Sequence, residues 1–257
     1  MRIASLTCSN TEIVCALGLG DQLMALDDHS DHPKAVVEKV PRLGPDLSID
    51  VDVLEKLNPD IVLASLTVPG HEKVVEEIAA RGMPYIAPDP QSLSDIFRDV
   101  IDIAQLLDVP ERGDALVGWM KKGLQEKKTE SDHPPILVEW WPRPVYAPGH
   151  RSWVNEMLEL AGAVNPWHEY PAHSLEVSQQ QAVEKDPAAV VISWCGIDPS
   201  RYQRSRVLSR PGWQQISAIR HQQVFCIPEA YLGRPGPRLV EGVRRLRAVV
   251  ETLASQQ

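Results

Sequence analysis

The chain has 257 residues, 43% hydrophobic and 24% charged, with a formal net charge of −9. That length suits one large or two small domains with ample core. No apolar run approaches the roughly 20 residues a bilayer span needs. The acidic balance excludes broad phosphate-backbone binding, so no nucleic-acid partner is expected. Cys8, Cys15, Cys195 and Cys226 lack paired metal-type spacing, and four thiols in a chain this long do not suggest a disulfide scaffold. Residues 1–6 read at once as a strand, without the basic start, apolar stretch and cleavage site of a secretory signal. The plain expectation is a reduced, monomeric, cytoplasmic protein; an upstream start would make it periplasmic or lipid-anchored.

Charge divides the chain. Residues 1–107 carry 8 basic and 18 acidic side chains, residues 108–131 carry 5 of each, and residues 132–257 carry 13 and 12. Twelve of those 13 late bases are Arg, and six of the seven Trp lie from Trp140 onward. The expected organisation is an N-terminal α/β lobe over 1–107, a connecting helix over 108–131 and a C-terminal α/β lobe over 132–257.

In the first lobe, 3–6 reads as strand and 11–17 as helix, with Ser9 and Glu12 spaced as a capping box and Gly18 as the stop. Strand 23–26 follows. Asp50 opens a short helix over 51–57, and Asn58-Pro59-Asp60 precedes the apolar strand 61–64. Residues 72–81 are amphipathic, Gly82 ends them, and 85–87 is the next strand. This β-α-β-α rhythm implies a mostly parallel sheet covered by helices.

Residues 92–107 and 111–130 are helical in pattern, separated around Pro110. The second places Ala115, Leu116, Trp119, Met120 and Leu124 on one side. Twenty helical residues reach about 30 Å, enough to bridge two lobes. The second lobe repeats the logic: strand 136–138, a helix from Ser152 to Leu160 stopped by Gly162, a Ser178/Gln181 capping box, strands 189–194 and 224–227, and a terminal helix over 239–253. Residues 52–64 are echoed by 181–192, each a short helix, a Pro break and an apolar strand. Two such Rossmann-like lobes leave a ligand cleft at their strand ends.

No Gly-x-Ser-x-Gly, P-loop or His-Glu-x-x-His occurs, so an enzyme is not expected. Asp27 to His32 is the densest potential metal cluster, but a solvated loop before Pro33 explains it better than a cage of converging ligands. Trp140-Trp141-Pro142-Arg143, Trp194-Cys195-Gly196 and Tyr231-Leu232-Gly233-Arg234 each follow a strand. Together they suggest a ligand wall of aromatic faces and guanidinium forks rather than three separate core positions.

Arg2-Ile3-Ala4-Ser5-Leu6 with Asn10-Thr11-Glu12-Ile13, Leu57-Asn58-Pro59-Asp60-Ile61-Val62, and Arg234-Pro235-Gly236-Pro237-Arg238 resemble, in order, the class III substrate-binding proteins of ABC importers for cobalamin, haem and ferric siderophores, closest to the cobalamin branch. The resemblance implies two Rossmann-like lobes bridged by a long helix, with ligand in the cleft. It implies contacts at Thr7 and Cys8, His29 in place of a Tyr, Ser65 in place of a Trp, and Tyr231 and Arg234 in the second lobe. It also implies docking to an ABC permease at Asp52 and Gln180, where one acidic side chain per lobe is usual. The expected function is non-catalytic binding of a corrinoid or related tetrapyrrole or metal chelate, with no resident cofactor. Trp140, Trp141, Trp194, Cys195 and Tyr231 would line the site, Arg143 and Arg234 would meet acidic groups, and His29 would approach the ligand's metal. The alternative is a cytosolic metal-chelate sensor or enzyme on the same fold.

Overall fold

The computed structural model describes residues 1–125 and 133–255. It separates into two units. The first comprises Met1–Pro90, Ser94–Met120 and Pro235–Pro237, and the second Gln91–Leu93, Lys121–Arg234 and Arg238–Gln257.

The first unit is built on β1 (Ile3–Ser5), β2 (Leu23–Leu26), β3 (Ile61–Leu63) and β4 (Tyr85–Ile86), all parallel in the order β2-β1-β3-β4. β1 and β3 are buried along their whole length, which is why they read as continuous apolar runs. α1 (Cys8–Ala16), α2 (Lys34–Val37), α3 (Val51–Leu57) and α4 (His71–Ala80) connect them. Leu6, Ala25, Leu54, Val62, Val74 and Ile78 pack into one core. Asp50 caps α3 by accepting from the Val53 N–H at 2.9 Å, and Asn58 ends it in the left-handed region at φ 48°.

α1 departs from expectation. It starts at Cys8 after Thr7, whose side chain makes no capping bond, and the Ser9/Glu12 capping box does not form. Tertiary bonds set the start instead. Asn10 Nδ2 donates to the Ala64 carbonyl at 2.7 Å and Thr11 Oγ1 donates to Ser5 Oγ at 2.8 Å, so this first turn faces the sheet ends.

α5 (Leu93–Leu106) and α6 (Pro110–Gly123) follow. The two helices part around Pro110 as expected, and Pro110 itself opens α6, where its fixed φ and missing N–H fit the first helical position. α6 has 14 residues, about 21 Å at 1.5 Å each, shorter than the twenty-residue span the sequence suggested. Residues 126–131 of the expected connector lie outside the described residues. The buried side differs in part: Met120 and Leu124 are buried as expected, but Gly113 and Val117 join them, while Ala115 is exposed and Trp119 is 55% exposed. Gly113 explains this, since a Cβ there would lie 2.5 Å from Ala104 Cβ on α5. The close approach centres the contact on the 113/117/120 stripe.

The second unit holds two sheets. β5 (Ile136–Glu139), β9 (Ala189–Ile192) and β10 (Val224–Cys226) are parallel in the order β10-β9-β5. A small antiparallel sheet of β6 (Trp141–Pro142), β7 (Val145–Pro148) and β8 (Ser174–Glu176) was not legible, because Pro142, Pro144 and Pro148 mask its short strands. α7 (Val154–Ala161), α8 (Gln179–Lys185), α9 (Arg204–Leu208), α10 (Ser217–Arg220) and α11 (Leu239–Ala254) complete it. The Ser178/Gln181 capping box is fully formed, with Ser178 Oγ accepting from the Gln181 N–H at 3.2 Å and Gln181 Oε1 from the Ser178 N–H at 2.9 Å.

Candidate functional site

Parallel strands send their following loops to the same edge of the sheet, so each unit gathers its candidate residues at one end. In the first unit these are the loops after β1, β2 and β3. A buried hydroxyl chain ties the first two together, and the Asn10 bond to the Ala64 carbonyl reaches the third. Ser5 Oγ and Ser30 Oγ each lie 2.8 Å from Thr11 Oγ1, and Ser30 donates to Asp27 Oδ1 at 2.5 Å. Asp27 also accepts the His29 N–H at 2.8 Å. Burial raises the Asp27 carboxyl pKa despite those bonds and the His29 charge.

On this framework Thr7 and Cys8 are half-buried at the start of α1, and the Cys8 thiol donates to the His29 carbonyl at 3.0 Å. His29 is exposed, with Nε2 3.7 Å from Asp46 Oδ1. The buried His71 places its Nε2 3.2 Å from Asp46 Oδ2. Desolvation pushes the Asp46 carboxyl up, but the His71 hydrogen bond and the charges of His71 and His29 outweigh it and hold it below the usual range. Ser65 is buried with its hydroxyl 2.9 Å from Thr67 Oγ1. Among the described residues no three His, Cys, Asp or Glu side chains are grouped to hold a metal ion, so the 27–32 loop makes no cage.

In the second unit the loops after β5, β9 and β10 share one sheet edge. Trp140 is half-buried and clamped by its backbone, donating to the Tyr146 carbonyl at 2.8 Å and accepting from the Cys195 N–H at 3.0 Å. Trp141 is 43% exposed, and its indole N–H donates to the Arg143 carbonyl at 3.1 Å. Tyr231 is half-buried, with the Arg245 and Arg238 guanidiniums 4.3 and 5.5 Å from its ring centre. Arg234 Nε donates to Glu229 Oε2 at 3.1 Å. Cys195 is an exposed residue whose thiol pKa is raised by desolvation and then by the Glu229 carboxylate, which keeps it protonated rather than nucleophilic.

Trp194 presents no open aromatic face to such a wall. It is only 1% exposed, its indole N–H donates to Glu139 Oε1 at 2.8 Å, and its ring meets Tyr202 edge-on at 5.5 Å. The loop after β9 folds back over it, with Tyr202 Oη donating to the Trp194 carbonyl at 2.9 Å. An indole at a strand end fills the core here because a fully buried carboxylate waits for its N–H. That Glu139 also accepts both ends of the Arg210 fork, at 2.7 and 2.8 Å. Neither Glu139 nor Arg210 stood out in the sequence; the available signal was an acidic residue closing an otherwise apolar strand.

The two expected docking positions lie on exposed helix starts. Asp52 shares Arg81 with Glu55 and Glu77, at 2.7, 3.0 and 2.7 Å. Gln180 donates to Glu184 Oε1 at 2.7 Å.

The family profile described as "Periplasmic binding protein" matches residues 3–231. The chain belongs to the periplasmic binding protein family. An uncharacterised ABC transporter substrate-binding lipoprotein of Bacillus subtilis is 30% identical over 254 residues, covering 95% of this chain and 78% of the relative. A vitamin B12-binding protein of Vibrio cholerae is 26% identical over 251 residues, covering 95% and 87%. The solved fold of a periplasmic heme-binding protein from Roseiflexus superposes with TM-score 0.84 at 23% identity, over 98% of both chains. This periplasmic binding protein is a substrate-binding component of the ABC-importer type and not an enzyme. The cytoplasmic expectation is thereby overturned: the relatives are lipoproteins and periplasmic proteins that work outside the cytoplasm. The first residues, read as a mature strand, carry no information on the compartment.

Proposed function

We propose that this periplasmic binding protein takes a corrinoid or related tetrapyrrole or metal chelate as cargo. The observation that carries the reading is the accessible Trp141 beside half-buried Trp140, at the same sheet edge as Tyr231, Cys195 and Arg234. Flat aromatic faces held by backbone bonds offer large contact area at small entropy cost, which suits a planar macrocycle. Arg143 meets an acidic substituent. The similarity to a vitamin B12-binding protein across 95% of the chain supports the class. In the first unit, Thr7, Cys8 and Ser65 form the polar surroundings, and exposed His29 is the imidazole offered to the ligand's metal. Asp52, with its partner Arg81, is the group offered to a permease.

Titration with cyanocobalamin, hydroxocobalamin and haemin, followed by calorimetry and absorbance, tests the proposal. At least one is expected to bind saturably with 1:1 stoichiometry; absence of saturable binding to all three removes the reading. If binding occurs and His29→Ala leaves the visible spectrum of the complex unchanged, His29 does not touch the metal.

A further inference from the structure

Two adjoining hollows mark the second unit, of about 460 and 210 Å³, sharing Pro142 and Arg206. Trp141, Arg143 and Arg210 complete the larger, and Arg201, Ser200 and Gln203 are among the residues of the smaller, over a floor that includes Trp194. Four guanidiniums therefore line the pair, and no carboxylate does, in a chain with 35 acidic side chains. Arg210 is committed to Glu139. Arg206 engages its Nε with Gln203 Oε1 at 2.7 Å, which fixes the guanidinium and leaves its two terminal nitrogens open. Arg143, Arg201 and Arg206 form no ion pair with any of the described residues.

Like charges gathered around one concavity repel, the more so over an apolar floor that lowers the local dielectric. Glu139 answers Arg210 and the Asp198 charge reaches Arg201, but no carboxylate lines either hollow. The Trp141 indole, tied to the Arg143 carbonyl, stiffens the turn that carries one of these forks. We infer that Arg143, Arg201 and Arg206 form a site for a compact oxyanion-bearing ligand with two or more carboxylate or phosphate groups. Guanidinium forks pair bidentately with either group, and the larger hollow has the volume of a small-molecule pocket. The inference extends the ligand reading from Arg143 alone to a three-fork site, and free anions test it apart from any metal chelate.

The experiment is calorimetric titration of the full chain with citrate and, separately, with pyrophosphate, in low-salt buffer, with Trp emission as a second readout. Saturable 1:1 binding of at least one is expected, weakened tenfold or more by Arg206→Gln and by Arg143→Gln. The exposed control Arg220→Gln should leave it unchanged. Citrate alone marks a carboxylate site, pyrophosphate alone a phosphate site, and both a general oxyanion site. No saturable binding of either, or equal weakening by the control, overturns the inference. Because the probes contain no macrocycle, anion binding without tetrapyrrole binding removes only the proposed cargo, and the converse removes only this site.

Discussion

At the scale of single residues, the Glu139 carboxylate is the most consequential side chain of the second unit. It is fully buried, and its charge is compensated by the bidentate Arg210 fork and the Trp194 indole N–H. Removing one partner of such a pair leaves an uncompensated buried charge, which costs about 3–5 kcal/mol. Arg210→Ala should therefore destabilise the protein by that order in urea unfolding. Glu139→Gln keeps the shape and an acceptor for the indole but strands the guanidinium, which is itself partly exposed and reaches water, so it should cost clearly less. Equal losses for the two variants would contradict this account, because it attributes the larger penalty to the group deeper in the protein. The same network explains why Trp194 could not be assigned from sequence. A strand-end indole serves a ligand or a core with equal chemical aptitude, and the deciding partner lies 55 residues away.

At the scale of elements, α5 carries a group that works against folding. Asp99 has one carboxylate oxygen buried without a hydrogen-bond partner. Burial raises its pKa from 3.8 to about 6, with Asp95, Asp102 and Asp89 adding to the rise and Arg98 opposing it. A carboxyl with a raised folded-state pKa binds its proton more tightly in the native chain. Its contribution is therefore fully present below about pH 4 and is lost as pH rises through about 6. Asp99→Asn should stabilise the protein at pH 7.5 by about 1–2 kcal/mol, after discounting for partial exposure, and bring no gain at pH 4. A gain equal at both pH values in denaturant titrations would show that charge is not the cause. Elements governed by local chemistry were the legible ones. Asp50 and Ser178 cap as their spacing implied, and the echoed segments both end a seven-residue helix on a left-handed residue, Asn58 or Asp186, before Pro and a buried strand. Elements governed by distant contacts were not. The start of α1 follows Asn10 and Thr11 to the sheet ends, the face of α6 follows the Gly113–Ala104 approach, and the small antiparallel sheet hides behind its prolines. The candidate site divides similarly: strand-end loops were readable from periodicity, whereas Arg201 and Arg206 belong to turns and a five-residue helix with no periodic signature.

At the scale of the whole molecule, charge is sorted by unit. The first carries 21 acidic and 9 basic side chains and the second 14 and 17, so net charges of −12 and +3 make up the total of −9. A compact unit of 120 residues with that acidic excess repels itself, and mobile ions relieve such repulsion within a Debye length. Raising NaCl from about 0.02 to 0.2 M shortens that length from roughly 20 to 7 Å, below the spacing of most surface charges. The ion pairs that salt weakens in return are exposed and individually worth little, such as those around Arg81. Repulsion should win, and the midpoint of thermal unfolding should rise by about 2–4 °C, equivalent to about 1 kcal/mol for a chain of this size. Far-UV circular dichroism is the appropriate probe. Six of the seven Trp lie in the second unit, so indole emission would report mainly the half of the chain with little net charge to screen. A midpoint that stays level or falls with salt would mean that surface pairing outweighs the acidic excess.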